Sequence, residues 1–154
     1  MTHALLFLHL VSAFVFVAGT VAAGILQLTA LGRERPSEIA LLLRTARTAV
    51  AFTIGGALGT LVFGLAIVGH LGIGFGTGWV AASIALWVVA MGLGGGGGRS
   101  ARHARYLAER LAREGDQPSD ELRALVAHRP SLLLSYAATA AIVAILVLMV
   151  WKPG

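Results

Sequence analysis

The chain has 154 residues, of which 57% are hydrophobic and only 12% charged, and its mean hydropathy is +0.83; soluble domains carry about 25% charged residues, so the composition excludes a water-soluble globular domain. The formal net charge of +5 does not make nucleic acid an expected partner, because the basic residues flank apolar stretches and no aromatic–basic interleaving accompanies them. Cysteine is absent, which excludes disulfides, thiolate metal sites and a catalytic thiol.

Four apolar stretches cover residues 4–31, 49–69, 79–94 and 132–151, and about 20 apolar residues cross a bilayer as helix. With their flanking turns the expected spans are 4–31, 40–69, 78–94 and 131–151, joined by a connecting segment over 95–130 in a single domain, 1–154. The first stretch has no Lys or Arg before Ala4 and exceeds the 7–15 residues of a signal-peptide h-region. It is therefore expected to remain as a helix. His9, Ser12, Phe16, Gly19, Ala23 and Leu26 fall at helical spacing on one face, and its small and polar members direct it into the bundle.

The connection at 32–38 is short, so the first two spans are expected to be antiparallel neighbours, with Pro36 and Ser37 opening the second helix and Ser37 as its cap. Arg44 and Arg47 then snorkel from its inner end. An alternative is that they contact an anion, either a lipid headgroup or a porphyrin propionate, since guanidinium forks match carboxylates. Gly55 with Gly59, Ala137 with Ala141 and Ala140 with Ala144 repeat the small-xxx-small spacing of close helix packing. His70 closes the second span, and Gly72, Gly74, Gly76 and Gly78 mark a tight turn. Trp79 and Trp151 suit an interfacial aromatic belt, while Trp87 is mid-span.

Residues 94–98 are five consecutive glycines, which are expected to interrupt helix on entropic grounds. Residues 99–113 then read as an amphipathic helix, with Ala104, Leu107, Ala108 and Leu111 on one face and Arg102, Arg105, Glu109, Arg110 and Arg113 on the other. The first expectation for this helix is a topology element lying at the headgroups. The second is a docking surface for an acidic partner through Arg102, Arg105, Arg110 and Arg113. A short helix is expected over 119–127 with Ser119 as cap, and Pro130 fits the first turn of the last span.

Arg33, Arg35, Arg44 and Arg47 lie between the first two spans and seven more arginines lie between the last two, leaving Lys152 alone on the other side. The positive-inside rule then places both charged connections in the cytoplasm and both termini outside, as for a multi-pass protein of the bacterial inner (plasma) membrane. The expected partners are the lipid bilayer and either another membrane protein or a second copy of the chain.

The spans contain no Asp, Glu or Lys, so carboxylate proton relays, paired-carboxylate catalysis and hard-cation cages lack their chemistry. Histidine remains. His103 and His128 fall in the charged connection and His3 is terminal. His9 lies about five residues into the first span, roughly 8 Å deep at 1.5 Å per residue, and His70 is on the same side. Together they fit the two axial positions of a haem or one metal ion. Alternatively, His9 makes a structural hydrogen bond to a neighbouring helix, with Ser12, Thr60, Ser135, Tyr136 and Thr139 as candidate partners.

Phe7-Leu8-His9-Leu10 followed by Gly19, an Arg-led second span and the ending Leu148-Met149-Val150-Trp151-Lys152-Pro153 resemble a bacterial family of predicted four-helix integral membrane proteins of unknown function. More distantly, the pattern is similar to copper-resistance D type proteins and to HemJ-type membrane protoporphyrinogen IX oxidases. Those resemblances imply haem b or copper as cofactor, His9 as its ligand and Lys152 as a second functional residue. The glycine run, the long basic connection and the few span methionines, Met91 and Met149, depart from them. The expected fold is an all-α, up-down four-transmembrane-helix bundle with an amphipathic helical segment between the third and fourth spans. Two functional classes follow. One is a non-enzymatic structural or accessory subunit, or an interaction module. The other is a haem- or metal-binding protein concerned with haem biosynthesis or copper handling.

Overall fold

The computed structural model describes residues 2–151, and the elements it contains are helices: α1 (Thr2–Leu31), α2 (Pro36–His70), α3 (Gly78–Arg113), α4 (Asp120–Val126) and α5 (Arg129–Trp151). Four helical segments, α1, α2, α3 and the α4–α5 unit, are long and apolar enough to cross a membrane. They run up and down, α1 packing along α2 and α3 along α5, with α2 and α3 joining the two hairpins. This is the all-α four-span fold expected from the sequence. All charged connections lie at one end, and the other end carries the start of α1, the end of α5 and the α2–α3 turn.

Lipid offers helices no hydrophobic drive to associate, so close backbone approach must hold them. The α1–α2 seam is built that way. Descending α1 while ascending α2, Gly19 meets Ala49 and Thr53, Phe16 meets Gly56, Ser12 meets Gly59 and His9 meets Gly64. A Cβ on Gly56 would run into the Phe16 backbone, and one on Gly19 would stand 2.8 Å from the Thr53 nitrogen. Of the expected Gly55–Gly59 pair, Gly59 lies in the seam, whereas Gly55 faces open space and Gly56 carries the contact in its place. On α5 likewise, Ala138 and Ala141 are buried, whereas Ala137 and Ala140 are exposed.

The glycine run does not interrupt the helix. α3 continues through residues 94–98 to Arg113, and two physical terms outweigh the glycine entropy cost of about 0.5–1 kcal/mol per residue. At membrane depth a broken turn would leave backbone N–H and C=O groups unsatisfied, at several kcal/mol each. The run also supplies the α3–α5 contact, since a Cβ on Gly97 would come within 2.7 Å of Ser135 Oγ and 3.0 Å of the Ser131 carbonyl.

Because α3 is unbroken, residues 99–113 continue the same helix rather than form a separate one. They project along the bundle axis and build a lobe. Ala104 and Ala108 are fully buried against Ile39 and Leu43 of α2, Ala30 of α1, and Leu122 and Val126 of α4. A second cluster, Phe16, Ala57, Ala90, Ala141 and Ile142, fills the middle of the bundle.

Local chemistry sets the helix ends. α3 ends in a Schellman turn, with Asp116 N–H donating to the Leu111 carbonyl and Gly115 at φ 128°, a conformation suited to glycine. The α2–α3 turn repeats the device with Gly72 at φ 66° and Ile73 N–H on the Val68 carbonyl. Ser119 caps α4 as expected, accepting from Leu122 N–H. Ser37 is not the cap of α2. Arg35 holds that position with Pro36 at N1, which pre-sets the helical φ, and Ser37 turns to the α3–α4 loop instead.

Candidate functional site

Two places in the bundle carry polar chemistry. The first is His9, half-buried in the α1–α2 seam. Its Nδ1 lies 3.0 Å from the Thr60 carbonyl oxygen. A carbonyl only accepts, so Nδ1 carries the proton, and in the neutral form of the ring Nε2 presents a lone pair. The hydrogen bond expected from the sequence is therefore present, to Thr60, and it fixes the tautomer that metal-binding histidines use when they donate their other ring nitrogen to a backbone carbonyl. Gly64 makes room for the ring: a Cβ there would stand 3.1 Å from His9 Cε1. No buried side-chain polar atom among the described residues lacks a partner, and no bond to Nε2 is formed, so Nε2 retains access to the surface.

His70 is not brought opposite His9. The antiparallel register pairs His9 with Thr60 and Gly64, and His70 lies six residues past Gly64, a further rise of about 9 Å, at an exposed turn. The equal depth expected for the two imidazoles is thus corrected by helix register. Among the described residues no group of three or more His, Cys, Asp or Glu side chains is placed to hold a metal. Among the described residues His9 and His70 therefore do not form a ligand pair. Lys152 lies outside the described residues. Trp87 donates Nε1 to the Ala57 carbonyl at 3.2 Å, tying α3 to α2 at mid-bundle.

The second place is the charged lobe. Arg105 is buried, holds Glu109 at 3.2 Å and lies 4.5 Å over the Tyr106 ring centroid. It is a structural residue of the lobe, which removes it from the expected docking face. Arg102 and Arg110 are exposed, Arg110 with Glu114 at 3.8 Å. Arg113 is exposed and donates Nε to the Glu109 carbonyl. Arg44 and Arg47 are both exposed on α2.

Asp116 reaches across to the start of α2, where its carboxylate accepts from Ser37 N–H and Ser37 Oγ, both at 2.7 Å. The Ser37 hydroxyl, then the Ser37 N–H and the Arg35 charge hold the Asp116 carboxyl below the usual range. Arg123 of α4 adds a second tie, to Glu34 at 3.2 Å.

Between α2 and α3 the lobe carries an open groove of about 400 Å³ lined by Ser37, Ala40, Leu41, Arg44, Glu109, Ala112 and Arg113. Its floor is apolar and Leu41 is 66% exposed within it. The groove was not legible in the sequence. It exists because α3 continues as helix past the glycines to lie beside the first turns of α2.

Residues 3–153 match the model of a family described as a predicted integral membrane protein, DUF2269, and the chain belongs to that family. No curated protein and no solved structure matches it.

Proposed function

We propose that this integral membrane protein is an accessory subunit or interaction module of a bacterial inner-membrane complex, with both termini outside and the charged lobe in the cytoplasm. The orientation rests on the eleven-to-one split of basic residues between the two ends. A single observation carries the functional reading: the groove between α2 and α3, whose apolar floor at Leu41, Ala40 and Ala112 is flanked by Arg44 and Arg113. Such a site fits a segment of another membrane protein that offers an apolar side chain to Leu41 and an acidic one to Arg113. A photo-crosslinking residue in place of Ala112 tests this in native membranes. The expected outcome is one discrete protein adduct that disappears in Leu41→Asp combined with Arg113→Glu. Adducts with lipid alone, or an adduct indifferent to those substitutions, would refute it. A reporter fused after Gly154 should be active outside the cytoplasm.

A second reading is favoured by one specific observation, the Nδ1–H···O=C bond from His9 to Thr60. In this reading His9 Nε2 is a ligand for haem b or copper. One residue of this chain then supplies one ligand, and the opposite ligand comes from a second copy or another subunit. A haem would bring electron-transfer or redox chemistry, whereas the protein's part is to fix the imidazole and exclude water around it. An absorption spectrum of the detergent-purified protein decides: a Soret band lost in His9→Ala supports this reading, and colourless, metal-free protein refutes it.

A further inference from the structure

The eleven arginines at the charged end divide into two sets by how they are paired. Arg33, Arg105, Arg110 and Arg123 each face a glutamate at 3.2–3.8 Å. Arg113 is bonded to the Glu109 carbonyl and Arg35 stands beside Asp116. The other five, Arg44, Arg47, Arg99, Arg102 and Arg129, are all exposed and make no side-chain hydrogen bond or ion pair among the described residues.

These five share one level. Gln27, Leu43, Ser100, Ala104, Leu125 and Ser131 are among the residues lining a small void of about 10 Å³, which fixes a common layer across α1, α2, α3, α4 and α5. Arg44 adjoins Leu43 and Arg99 adjoins Ser100, Arg102 and Arg129 lie two residues from Ala104 and Ser131, and Arg47 lies four from Leu43. Four residues of helix rise about 6 Å, so all five lie in one band at the base of the lobe, which they share with Arg105, next to Ala104 and held by Glu109. On α2 and α3 the nearest acids, Glu38 and Glu109, lie five residues further out and are held by Arg33 and Arg105.

We propose that Arg44, Arg47, Arg99, Arg102 and Arg129 form a belt that binds the phosphates of anionic phospholipids, with the paired tier held by the lobe's own groups. Charge complementarity identifies the occupant: five exposed cations in one band, none of them paired with an acid among the described residues, beside apolar spans, where an anionic leaflet presents its phosphates. Arg is suited to this task because its planar fork contacts phosphate oxygens two at a time. Arg44 with Arg47 and Arg99 with Arg102 are i, i+3 pairs, whose Cβ atoms sit about 5–6 Å apart on a helix surface, so each pair can grip one phosphate from two sides. The belt is independent of the partner groove and of His9.

The test uses the full chain in phosphatidylcholine bilayers with and without phosphatidylglycerol, read by native mass spectrometry of retained lipid and by the thermal unfolding midpoint. Wild type should retain several phosphatidylglycerol molecules and unfold at a higher temperature when that lipid is present. Replacing Arg44, Arg47, Arg99 and Arg102 with Gln should abolish both effects, whereas Gln at Arg33, Arg110 and Arg123 should leave them intact. If the belt variant does not fold, Lys at the same four positions keeps the charge and should retain lipid at a several-fold lower level. Absence of phosphatidylglycerol preference in wild type, equal loss in the paired-tier variant, or reproduction of the shift by inorganic phosphate in pure phosphatidylcholine would each overturn the belt.

Discussion

The lobe and the α1–α2 seam hold helices together by opposite means. In the lobe, side chains of moderate size interdigitate: Leu122, Ile39 and Leu43 close over Ala104 and Ala108, and charged pairs and the Asp116–Ser37 link ring that core. In the seam the contacts run through glycines; Gly19 and Gly56 bring backbone to backbone, and Gly59 and Gly64 admit the Ser12 and His9 side chains. Solvent explains the difference. The lobe projects into water, where burying apolar area stabilises at roughly 25 cal/mol per Å². The seam lies in lipid, where that gain vanishes and only contact and hydrogen bonding remain. Deleting side chains should therefore damage the lobe and adding them should damage the seam.

The largest expected effect is on the lobe. Leu122→Ala removes its most buried large side chain and should cost about 2–5 kcal/mol of lobe stability, seen as faster hydrogen exchange in α4 and the end of α3 with the spans unaffected. Next comes the seam. Gly56→Leu forces a side chain into the Phe16 backbone and should cost about 1–3 kcal/mol by overpacking, read as a lowered unfolding midpoint in detergent. Gly55→Leu, one residue away and facing open space, should be neutral or slightly stabilising, because leucine exceeds glycine in helix propensity by up to about 1 kcal/mol. If the two leucines behave alike, the seam is misplaced.

His9→Phe should cost about 1 kcal/mol for the lost bond to Thr60, and Thr60→Ala, which keeps the accepting carbonyl, should cost less. The smallest effect is on the pH response of the lobe. The folded-state pKa of Asp116 is depressed by Ser37 and Arg35, so its contribution is complete above the ordinary carboxylate value of about 3.9 and disappears as pH falls through the lower folded value. Protection of the Ser37 amide, its exchange relative to the intrinsic rate at each pH, should be flat from neutral pH into the mildly acidic range and fall only below it. In Asp116→Asn that protection should be low throughout and insensitive to pH.

The division into apolar spans and charged connections was legible because it depends on composition summed over about 20 residues, which no tertiary contact reverses. The Ser119 cap and the turn glycines were legible because their causes are local. The glycine run was misread for the opposite reason. Its entropy cost is visible in the sequence, but Ser131 and Ser135, which require Gly97, lie more than thirty residues away. The Ser37–Asp116 link spans 79 residues and leaves no local trace. Arg105 was assigned to an exposed face because charge was read as exposure. The i, i+4 relation to Glu109 and the adjacent Tyr106 were the signals that it could be buried with its charge satisfied. His9 was found as a candidate because an ionisable residue at membrane depth stands out, whereas the register that separates it from His70 needed the helix packing.

Everything assigned to the charged end depends on α3 continuing unbroken through residues 94–98. The chain has no cysteine, so spin labels at Gly94→Cys and Arg113→Cys are free of background. Distance measurement between them in lipid bilayers is the most direct test. An unbroken helix puts nineteen residues of rise between the two backbone positions, about 28 Å, in a single narrow distribution. A broad distribution centred at a shorter distance would mean that the glycines break the helix and that the lobe, its groove and the arginine belt are not formed as described.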